Sequence, residues 1–447
     1  MNAPLPWRQL IRRSRESGPQ FILSYLGMLR RHRRPPERIR QFQERRLERI
    51  IRHALGWVPA YREAPYIKSS MIRGEGFCAL ARFPLLDRRT LVERGERFVA
   101  KNARRFSPKL VQTGGTTGKP VSLYLDGRTR ALWNMMVLLR RRWAGWKPGD
   151  RSVLFSTPYR NVAGSYDSSR PYSLDRSPRE LFLNAAGLSH VRLREFAERV
   201  VNFRPQILRG YPSLLMLLAR SLNSAGARLR LRAVLTGGEL LGDEQRHYLE
   251  ETFACKVYDH YNMWENVAFA PQCEHGSYHL IPELSYVEIL RNGQPCQPGE
   301  VGEIVGTHLA NHSMPLIRYN MNDLASPNQA PCRCGRGTQT FTLIGGRGRD
   351  IIVTPRGYVV PSTLIAAKID PPLRVEKMQF YQERMDEVVV RIVRGEGYTE
   401  DDTNRLIAEL DLVFNGDVKI GWEFVDDIPR TPSGKYPYVV SHVPLEL

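Results

Sequence analysis

From about residue 106 onward, short apolar segments alternate with amphipathic ones, and this alternation constrains the fold more than any other feature of the chain. Ser152–Phe155 and Ala233–Thr236 are short apolar runs, and Leu214–Leu222 between them has the spacing of a helix. Strands that alternate with helices are typical of an α/β fold with a largely parallel sheet. Tyr286–Leu290 and Gly302–Val305 lie near Asn-Gly and Pro-Gly turns and are predicted to be antiparallel.

The length of the chain, 447 residues, exceeds the common size of one domain, so more than one hydrophobic core is predicted. Residues 1–105 are predicted to form a mostly helical extension. Within it, Glu37–Leu55 has the apolar spacing of an amphipathic helix, which ends before Pro59 because proline cannot continue a helix. Residues 106–346 are predicted to form the multi-layer core of a large domain with mostly parallel sheets.

The C-terminal part of the chain is predicted to be a separate, smaller domain. Paired glycines followed by charges, Gly345-Gly346-Arg347, indicate a linker. Beyond it, Glu400–Phe414 has the pattern of a helix and the apolar runs on either side have the pattern of strands. Residues 347–447 are therefore expected to form a small α+β domain.

The composition limits the class of protein. Apolar residues make up 42% of the chain and charged residues 25%, which excludes a disordered or collagen-like chain. No apolar run approaches the roughly 20 residues of a membrane helix. Residues Met1–Trp7 lack the charged-then-apolar order of a secretion signal. These features together predict a cytoplasmic protein.

The charge balance is strongly basic, with 66 Lys and Arg against 46 Asp and Glu, a net charge of +20. A block at Arg30–Arg34 leads into an arginine-rich segment. Two interpretations stay open: a solvated helical face, or a surface that docks on an anionic membrane. We find no zinc-finger spacing or aromatic-interleaved basic strand, so no specific nucleic-acid partner is predicted.

Six cysteines include two local groups, Cys273-Glu274-His275 and Cys332-Arg333-Cys334. Three thiolates and an imidazole are the ligands of a closed tetrahedral zinc site. The Cys-x-Cys spacing is tighter than the usual Cys-x2-Cys, and His279 competes with His275 for the nitrogen position. The alternative is that these thiols are unrelated.

A glycine-rich loop, Thr113-Gly114-Gly115-Thr116-Thr117-Gly118-Lys119-Pro120, is the sharpest local motif. Its glycines let backbone N–H groups point inward, and its hydroxyls and lysine suit phosphate oxygens. It is not a Walker A loop, which needs glycine in place of Thr113 and Ser or Thr in place of Pro120. The alternative is a glycine-rich hairpin turn.

Four further segments follow this loop in order: Thr236–Glu239, Tyr261–Glu265, Arg318–Asp323 and Arg430–Lys435. With the Thr113 loop and Gly346-Arg347, the ordered set resembles the adenylate-forming superfamily, which includes acyl-CoA synthetases. Within it, the chain is most similar to the phenylacetate–CoA ligase branch, particularly its CapK-like members. The segments that indicate this branch are Gln43-x-x-Arg46-Leu47 with Val58–Arg62, Met314–Tyr319, and Cys332–Arg336.

The resemblance implies a reaction in which ATP and a carboxylate form an acyl-adenylate with release of pyrophosphate, followed by transfer to a thiol. The loop from Thr113 to Lys119 would then hold pyrophosphate, with Thr116 and Lys119 in catalytic roles. Glu265 matches the acidic residue associated with Mg²⁺, and one carboxylate suffices because Mg²⁺ is also held by phosphate oxygens. Lys435 matches the catalytic lysine of adenylation.

The resemblance also implies where the nucleoside binds. Gly238 and Glu239 match the segment lining the adenine, and Tyr261 matches a residue that stacks near it. Asp323 matches the carboxylate that accepts both ribose hydroxyls, which suits an acceptor-only group. Arg347 matches the arginine near the ribose and phosphate.

The small domain of such enzymes is a mobile lid that rotates about a hinge after this arginine. Arg349 stands where the family usually has Asp, so the effect on the hinge stays open. Asn262 replaces a common glycine. Trp264 replaces a small hydroxylated residue, and its bulk would narrow or reshape the acyl pocket. The branch also often carries a Cys/His metal site, which implies a structural Zn²⁺ on Cys273, His275, Cys332 and Cys334.

Three functions are weighed. The first is an ATP-dependent acid–thiol ligase for a small carboxylic acid, with aromatic acids among the candidates and coenzyme A as acceptor. The second is an acyl-adenylating enzyme of surface polysaccharide synthesis that uses a sugar or other acceptor. The third is a non-enzymatic protein that binds polyanions. A homodimer is expected only because two-fold assemblies are the commonest.

Overall fold

The computed structural model describes most of the chain. Several predicted site residues lie outside the described residues: the loop 113–120, Arg347 with the hinge position Arg349, and Lys435. The described residues are 20–63, 74–112, 121–156, 170–174, 179–186, 188–239, 241–345, 351–356, 358–361, 365, 369, 374–428 and 438–443.

Along the described residues, helices and strands alternate in the order that the sequence predicts. The α-helices are α1 (Gln20–Arg31), α2 (Pro36–Trp57), α3 (Pro59–Arg62), α4 (Arg88–Arg94), α5 (Gly127–Trp143), α6 (His190–Phe203), α7 (Pro212–Ser224), α8 (Asp243–Phe253) and α9 (Glu400–Phe414). The strands are β1 (Lys109–Gln112), β2 (Ser122–Leu125), β3 (Ser152–Ser156), β4 (Tyr172–Leu174), β5 (Glu180–Asn184), β6 (Ile207–Gly210), β7 (Ala233–Thr236), β8 (Lys256–Tyr258), β9 (His260–Asn262), β10 (Phe269–Pro271), β11 (Tyr278–His279), β12 (Ser285–Arg291), β13 (Gln294–Pro295), β14 (Gly302–His308), β15 (Tyr319–Pro327), β16 (Thr340–Gly345), β17 (Ile351–Val353), β18 (Val359–Pro361), β19 (Val375–Arg384), β20 (Glu387–Arg394), β21 (Lys419–Phe424) and β22 (Val439–Ser441). Short 3₁₀ helices span Gly76–Arg82, Gly95–Phe98 and Ala103–Phe106.

The first of two compact units contains the described residues up to 112 together with 121–148 and 258–345. Its main sheet is antiparallel with strand order β11-β16-β15-β14-β12-β13. The turn between β12 and β13 has positive φ at both Asn292 (52°) and Gly293 (78°), the conformation that a tight hairpin of Asn-Gly requires. The antiparallel arrangement predicted for this region is confirmed.

The N-terminal helices belong to this same unit. Helix α2 starts with a proline in its first turn and ends at Trp57, two residues before Pro59, as predicted. The Tyr61 hydroxyl donates to the carbonyl of Pro315 (3.2 Å) and accepts from the N–H of Ile317 (3.0 Å), so the segment after α2 is fixed to the chain leading into β15. Among the described residues, no helix has the length and apolar character to cross a membrane.

The second unit contains the described residues of 149–257 and those from 351 onward. Residues 149–257 form a sheet of order β4-β5-β3-β6-β7, with β8 at the far edge. β5, β3, β6 and β7 are parallel neighbours, and every residue of β7 is buried. Burial on both faces explains the continuous apolar runs of the sequence, and the α/β prediction is confirmed.

The C-terminal part of this unit has a mixed sheet of order β21-β20-β19-β22 and the helix α9. The helix has the predicted bounds, and the N–H of Thr399 at its N-cap donates to Asp402 (3.0 Å). Leu406, Leu410 and Phe414 of α9 pack in an apolar cluster with the sheet. The α+β prediction is confirmed. Lid motion, and the division at 105 and 346 into domains, stay predictions.

Candidate active site and metal centre

Glu265 lies in the hairpin between β9 and β10, which pair at Asn262 and Phe269. The hairpin closes with a turn in which the N–H of Asn266 donates to the carbonyl of Met263 (3.0 Å). Asn266 takes a left-handed conformation (φ 57°), which asparagine adopts more readily than most residues. The turn places Glu265 at its second central position, where its side chain is buried.

Asp323 lies in an irregular part of β15. The pairing of β14 with β15 shifts register between Glu303 and Val305, so extra residues of β15 bulge out opposite them. Asn322, just before Asp323, has a φ of 54°, and its N–H bonds to the side chain of Asn320 (2.9 Å). Bulges of this kind redirect a side chain out of the regular sheet pattern.

The structure brings these two motifs together in the first unit. The hydroxyl of Tyr261 donates to Oδ2 of Asp323 (2.7 Å), and the hydroxyl of Tyr319 donates to Oε1 of Glu265 (3.1 Å). The ring of Tyr261 is buried and packs edge-on against Phe341. Tyr261 thus contacts the carboxylate matched to the ribose, while its stacking on adenine stays a prediction.

Two residues near Glu265 were not found by reading the sequence. His308 Nε2 lies 2.9 Å from the carbonyl of Glu265, and Arg88 Nη1 lies 4.0 Å from Oε1 of Glu265. Both come from distant segments, and neither belongs to a local motif. Only the chain fold could reveal them.

Gly238 and Glu239 belong to the second unit. Both carboxylate oxygens of Glu239 are bonded by Ser213, from its N–H (3.0 Å) and its hydroxyl (2.9 Å). Burial raises the pKa of Glu239 and outweighs these two hydrogen bonds. A Cβ on Gly238 would lie 2.7 Å from Cε1 of Tyr211. The close approach of Tyr211 therefore requires a glycine at position 238. The resemblance implies a second reason, the close approach of the adenine.

Gly238→Ala is expected to destabilise the second unit by about 2–4 kcal/mol. This figure adds the cost of a left-handed backbone conformation at alanine to the cost of an overpacked contact with Tyr211. Gly238 has a φ of 85° and closely approaches Tyr211. Gly226→Ala is the matched control, because Gly226 has a φ of 65° but nothing within 4 Å of its would-be Cβ. Urea unfolding of both variants measures the difference. Equal losses would show that the approach to Tyr211 is unimportant.

Four potential metal ligands converge in the first unit: the side chains of Cys273, His279, Cys332 and Cys334, whose donor atoms all lie within 4.8 Å of one another. The sulfurs of Cys273 and Cys332 are 3.5 Å apart, and Cys334 Sγ is 3.3 Å from His279 Nε2. The expectation of His275 as the nitrogen ligand is corrected. Its backbone N–H bonds to Cys273 (3.4 Å), and the residue is exposed.

Two similar turns present the cysteines. The N–H of Gly276 donates to the carbonyl of Cys273 (3.0 Å), and the N–H of Gly335 donates to the carbonyl of Cys332 (3.1 Å). Both glycines have positive φ, 78° and 73°, which non-glycine residues rarely adopt. The two Cys-x-x-Gly turns thus bring their cysteine sulfurs close to each other, and strand β11 places His279 beside them.

The donor set fits a zinc ion. Burial lowers the pKa of His279 to about 3, so the ring is neutral and able to ligate. The other ring nitrogen, Nδ1, is bonded to the hydroxyl of Thr338 (2.9 Å), which orients the ring. Burial raises the pKa of Cys273 to about 12, and a bound cation would favour its thiolate. Four protein ligands would close the site, as in structural zinc centres.

Comparison with known proteins gives consistent matches. Residues 352–442 match the family described as the CapK C-terminal domain. A phenylacetate–coenzyme A ligase of Thermus thermophilus is 23% identical over 393 residues, which cover 84% of this chain and 86% of that protein. Protein CapK of Staphylococcus aureus is 23% identical and covers 74% of each chain.

Solved structures share the fold. A crystal structure of 2-hydroxyisobutyryl-CoA ligase in complex with 2-HIB-AMP and CoA, in the thioesterification state, has a TM-score of 0.62 at 20% identity. The match covers 92% of this chain and 91% of that one. An open conformation of the same ligase gives a TM-score of 0.57. The chain therefore shares the fold of this CoA ligase.

These relatives agree with the shared fold. Over most of its length the chain is similar to phenylacetate–coenzyme A ligases and to protein CapK, and its residues 352–442 match the CapK C-terminal domain. The resemblance inferred from the ordered motifs is confirmed.

Proposed function

We propose that the protein is an AMP-forming acid–thiol ligase that activates a small carboxylic acid with ATP and transfers the acyl group to coenzyme A. The observation that carries the proposal is a pair of hydrogen bonds between the two motifs. Tyr319, from the segment of Asp323, bonds Glu265, and Tyr261, from the segment of Glu265, bonds Asp323. The carboxylate matched to Mg²⁺ and the carboxylate matched to the ribose are therefore held in one arrangement, as the binding of a single nucleotide requires.

In the first step, a carboxylate oxygen of the acid attacks the α-phosphorus of ATP, the bond to the β-phosphate breaks, and pyrophosphate leaves. A magnesium ion at Glu265 would neutralise charge on the phosphate oxygens. Asp323 accepts hydrogen bonds from the ribose and fixes the nucleoside. In the second step, the thiol of coenzyme A loses its proton to solvent, the resulting thiolate attacks the acyl carbon, and the bond to AMP breaks so that AMP leaves.

The identity of the acid belongs to the proposal as well. An aromatic acid is supported by the similarity to phenylacetate–coenzyme A ligases, whereas the solved structure that covers most of the chain is of a ligase for 2-hydroxyisobutyrate. Transfer to a sugar or another acceptor is the second candidate, favoured by the match of residues 352–442 to the CapK C-terminal family.

The test is carboxylate-dependent exchange of labelled pyrophosphate into ATP, across aryl and aliphatic acids, with and without coenzyme A. Exchange with at least one acid, followed by a thioester when coenzyme A is added, is the expected result. Exchange without a thioester would select the other acceptor. Absence of ATP binding by the folded protein would overturn the proposal.

Lys435→Ala is expected to lower adenylate formation by roughly 10²–10³-fold, the range found when one preorganised charge-stabilising group is removed. ATP binding should stay close to that of the unchanged protein, because the lysine acts on charge that develops during the reaction. Single-turnover formation of the adenylate and calorimetric binding of ATP measure the two effects. Lys419→Ala, on strand β21, is the surface control. Unchanged turnover in Lys435→Ala would remove this residue from the site.

A further inference from the structure

The two carboxylates of the candidate site are each held by a tyrosine that comes from the other motif. Tyr261 and Glu265 lie four residues apart in one segment, and Tyr319 and Asp323 lie four residues apart in the other. The hydrogen bonds cross, with Tyr319 on Glu265 (3.1 Å) and Tyr261 on Asp323 (2.7 Å). All four residues are buried, between 2% and 7% exposed.

Tyr319 is rigidly placed at the start of β15. It forms a β-bridge with Leu86, and the N–H of the next residue, Asn320, donates to the carbonyl of Leu86 (2.8 Å). Arg318 before it donates to the carbonyl of Phe83 (3.0 Å). The backbone that carries Tyr319 is thus held by the segment 83–86, which lies outside the hairpin that carries Glu265.

The backbone of Glu265 is also held by a residue outside its hairpin, His308. His308 Nδ1 accepts from the N–H of Leu316 (3.1 Å), so its Nε2–H is the donor to the carbonyl of Glu265 (2.9 Å). This arrangement requires the neutral ring, and burial lowers the pKa of His308 to about 4. With the backbone of Glu265 held in this way, the hydroxyl of Tyr319 restricts the orientation of its carboxylate.

Tyr261 is equally constrained. It pairs with Ala270 across the hairpin, its ring packs on Phe341, and its hydroxyl also lies 3.4 Å from the sulfur of Met321. A carboxylate in a bulged strand, such as Asp323, has a less regular backbone to hold it. The hydroxyl of Tyr261 adds a constraint on the carboxylate of Asp323.

We propose that Tyr319 and Tyr261 are positioning residues for the two ends of the nucleotide: Tyr319 orients Glu265 toward the divalent cation, and Tyr261 orients Asp323 toward the ribose hydroxyls. The inference rests on the proposed function. Supporting residues of this kind determine whether a site is held tightly enough to work. Because the bonds cross, each hydroxyl controls the carboxylate of the opposite segment.

The test removes one hydroxyl at a time with Tyr319→Phe and Tyr261→Phe, a matched pair with the same chemical change. Tyr319→Phe is expected to raise the Mg²⁺ concentration for half-maximal pyrophosphate exchange by about tenfold, the effect of losing one hydrogen bond to a charged group. Its KM for ATP at saturating Mg²⁺ should change less than twofold. Tyr261→Phe should raise the KM for ATP by about tenfold, reduce discrimination against deoxyribose analogues, and leave the Mg²⁺ requirement unchanged.

Binding measurements separate this inference from the proposed function. Mn²⁺ titration followed by electron paramagnetic resonance, with a non-hydrolysable ATP analogue present, should show weaker Mn²⁺ binding in Tyr319→Phe alone. If the unchanged protein exchanges pyrophosphate with no acid, the proposed function fails, while the Mn²⁺ and analogue affinities still test the tyrosines.

A double-mutant cycle guards against a general structural effect. On a Glu265→Gln background, Tyr319→Phe should add less than twofold to the Mn²⁺ dissociation constant, because its partner is already changed. Equal changes of both metal and nucleotide affinity in both single variants, or no change in either, would overturn the inference. So would full additivity in the cycle.

Discussion

Replacing Cys332 and Cys334 together by serine is expected to abolish zinc binding and to lower the stability of the first unit by at least about 4 kcal/mol. Two of four converging ligands are lost, and the remaining Cys273 and His279 cannot close a tetrahedron. Structural zinc contributes roughly 10–16 kcal/mol of apparent binding free energy in small zinc-dependent peptides. Atomic emission measures the zinc content and thermal unfolding measures the stability.

The controls distinguish the ligands from their neighbours. Cys78→Ser with Cys296→Ser removes two thiols outside the cluster and should leave one zinc per chain. His279→Ala should release the metal, whereas His275→Ala should retain it. Zinc retained by the Cys332 and Cys334 double variant, or lost from His275→Ala, would contradict the assignment.

Glu283→Gln is expected to cost about 3–5 kcal/mol, because it removes the buried carboxylate that neutralises the half-buried guanidinium of Arg31. Glu283 accepts from Nη1 of Arg31 and from Nε2 of His32 (3.0 Å), and its own side chain and that of His32 are buried. Its carbonyl also accepts from Arg46 (2.8 Å). The carboxylate therefore joins the end of α1 to the segment before β12, and the carbonyl joins helix α2 to the same segment. Urea unfolding at neutral pH measures the loss.

The same variant should reveal a pH dependence. Burial by itself raises the pKa of Glu283, but His32 and Arg31 outweigh it and hold the pKa below its ordinary value. A lowered pKa in the folded state contributes stability above the unfolded pKa of about 4.3, and this contribution is lost as the pH falls through the folded pKa. The stability difference between Glu283→Gln and the unchanged protein should therefore shrink as the pH falls below about 4.3.

Glu48→Gln is the matched control for this substitution. Glu48 pairs with Arg52 one helical turn away in α2, where both side chains are exposed. Such a pair is worth about 0.3–0.5 kcal/mol. A comparably small loss in Glu283→Gln would show that the buried cluster at the end of α1 contributes little.

Prediction from sequence worked where local periodicity decides structure. The helix at Glu400–Phe414 has the predicted bounds, because its apolar spacing and the Thr399 N-cap are both local. The buried runs of β3 and β7 were recognised because parallel strands are apolar on both faces. The ordered motifs indicated the resemblance to phenylacetate–coenzyme A ligases and CapK, because their order can be read along the chain without knowing the fold.

Prediction of contacts failed where partners are distant in sequence. Tyr261 and Asp323 are 62 residues apart, and Tyr319 and Glu265 are 54 apart, so no local pattern joins them. The motif match placed Tyr261 beside the adenine and said nothing of its hydroxyl. Hydrogen bonds between distant strands depend on register, which the pairing of whole sheets sets.

At the candidate metal centre, the sequence and the tertiary structure decided different things. The sequence by itself determined the chemistry, because three cysteines and two nearby histidines limit the ligands to sulfur and imidazole. The resemblance assigned the nitrogen position to His275, with His279 as its competitor. Only the tertiary structure decided between them: β11 pairs with β16 at His279 and Thr340, which buries that ring beside Cys334, while His275 lies in an exposed turn. Strand pairing selects one histidine because it fixes which side chain reaches the cysteines and which faces water.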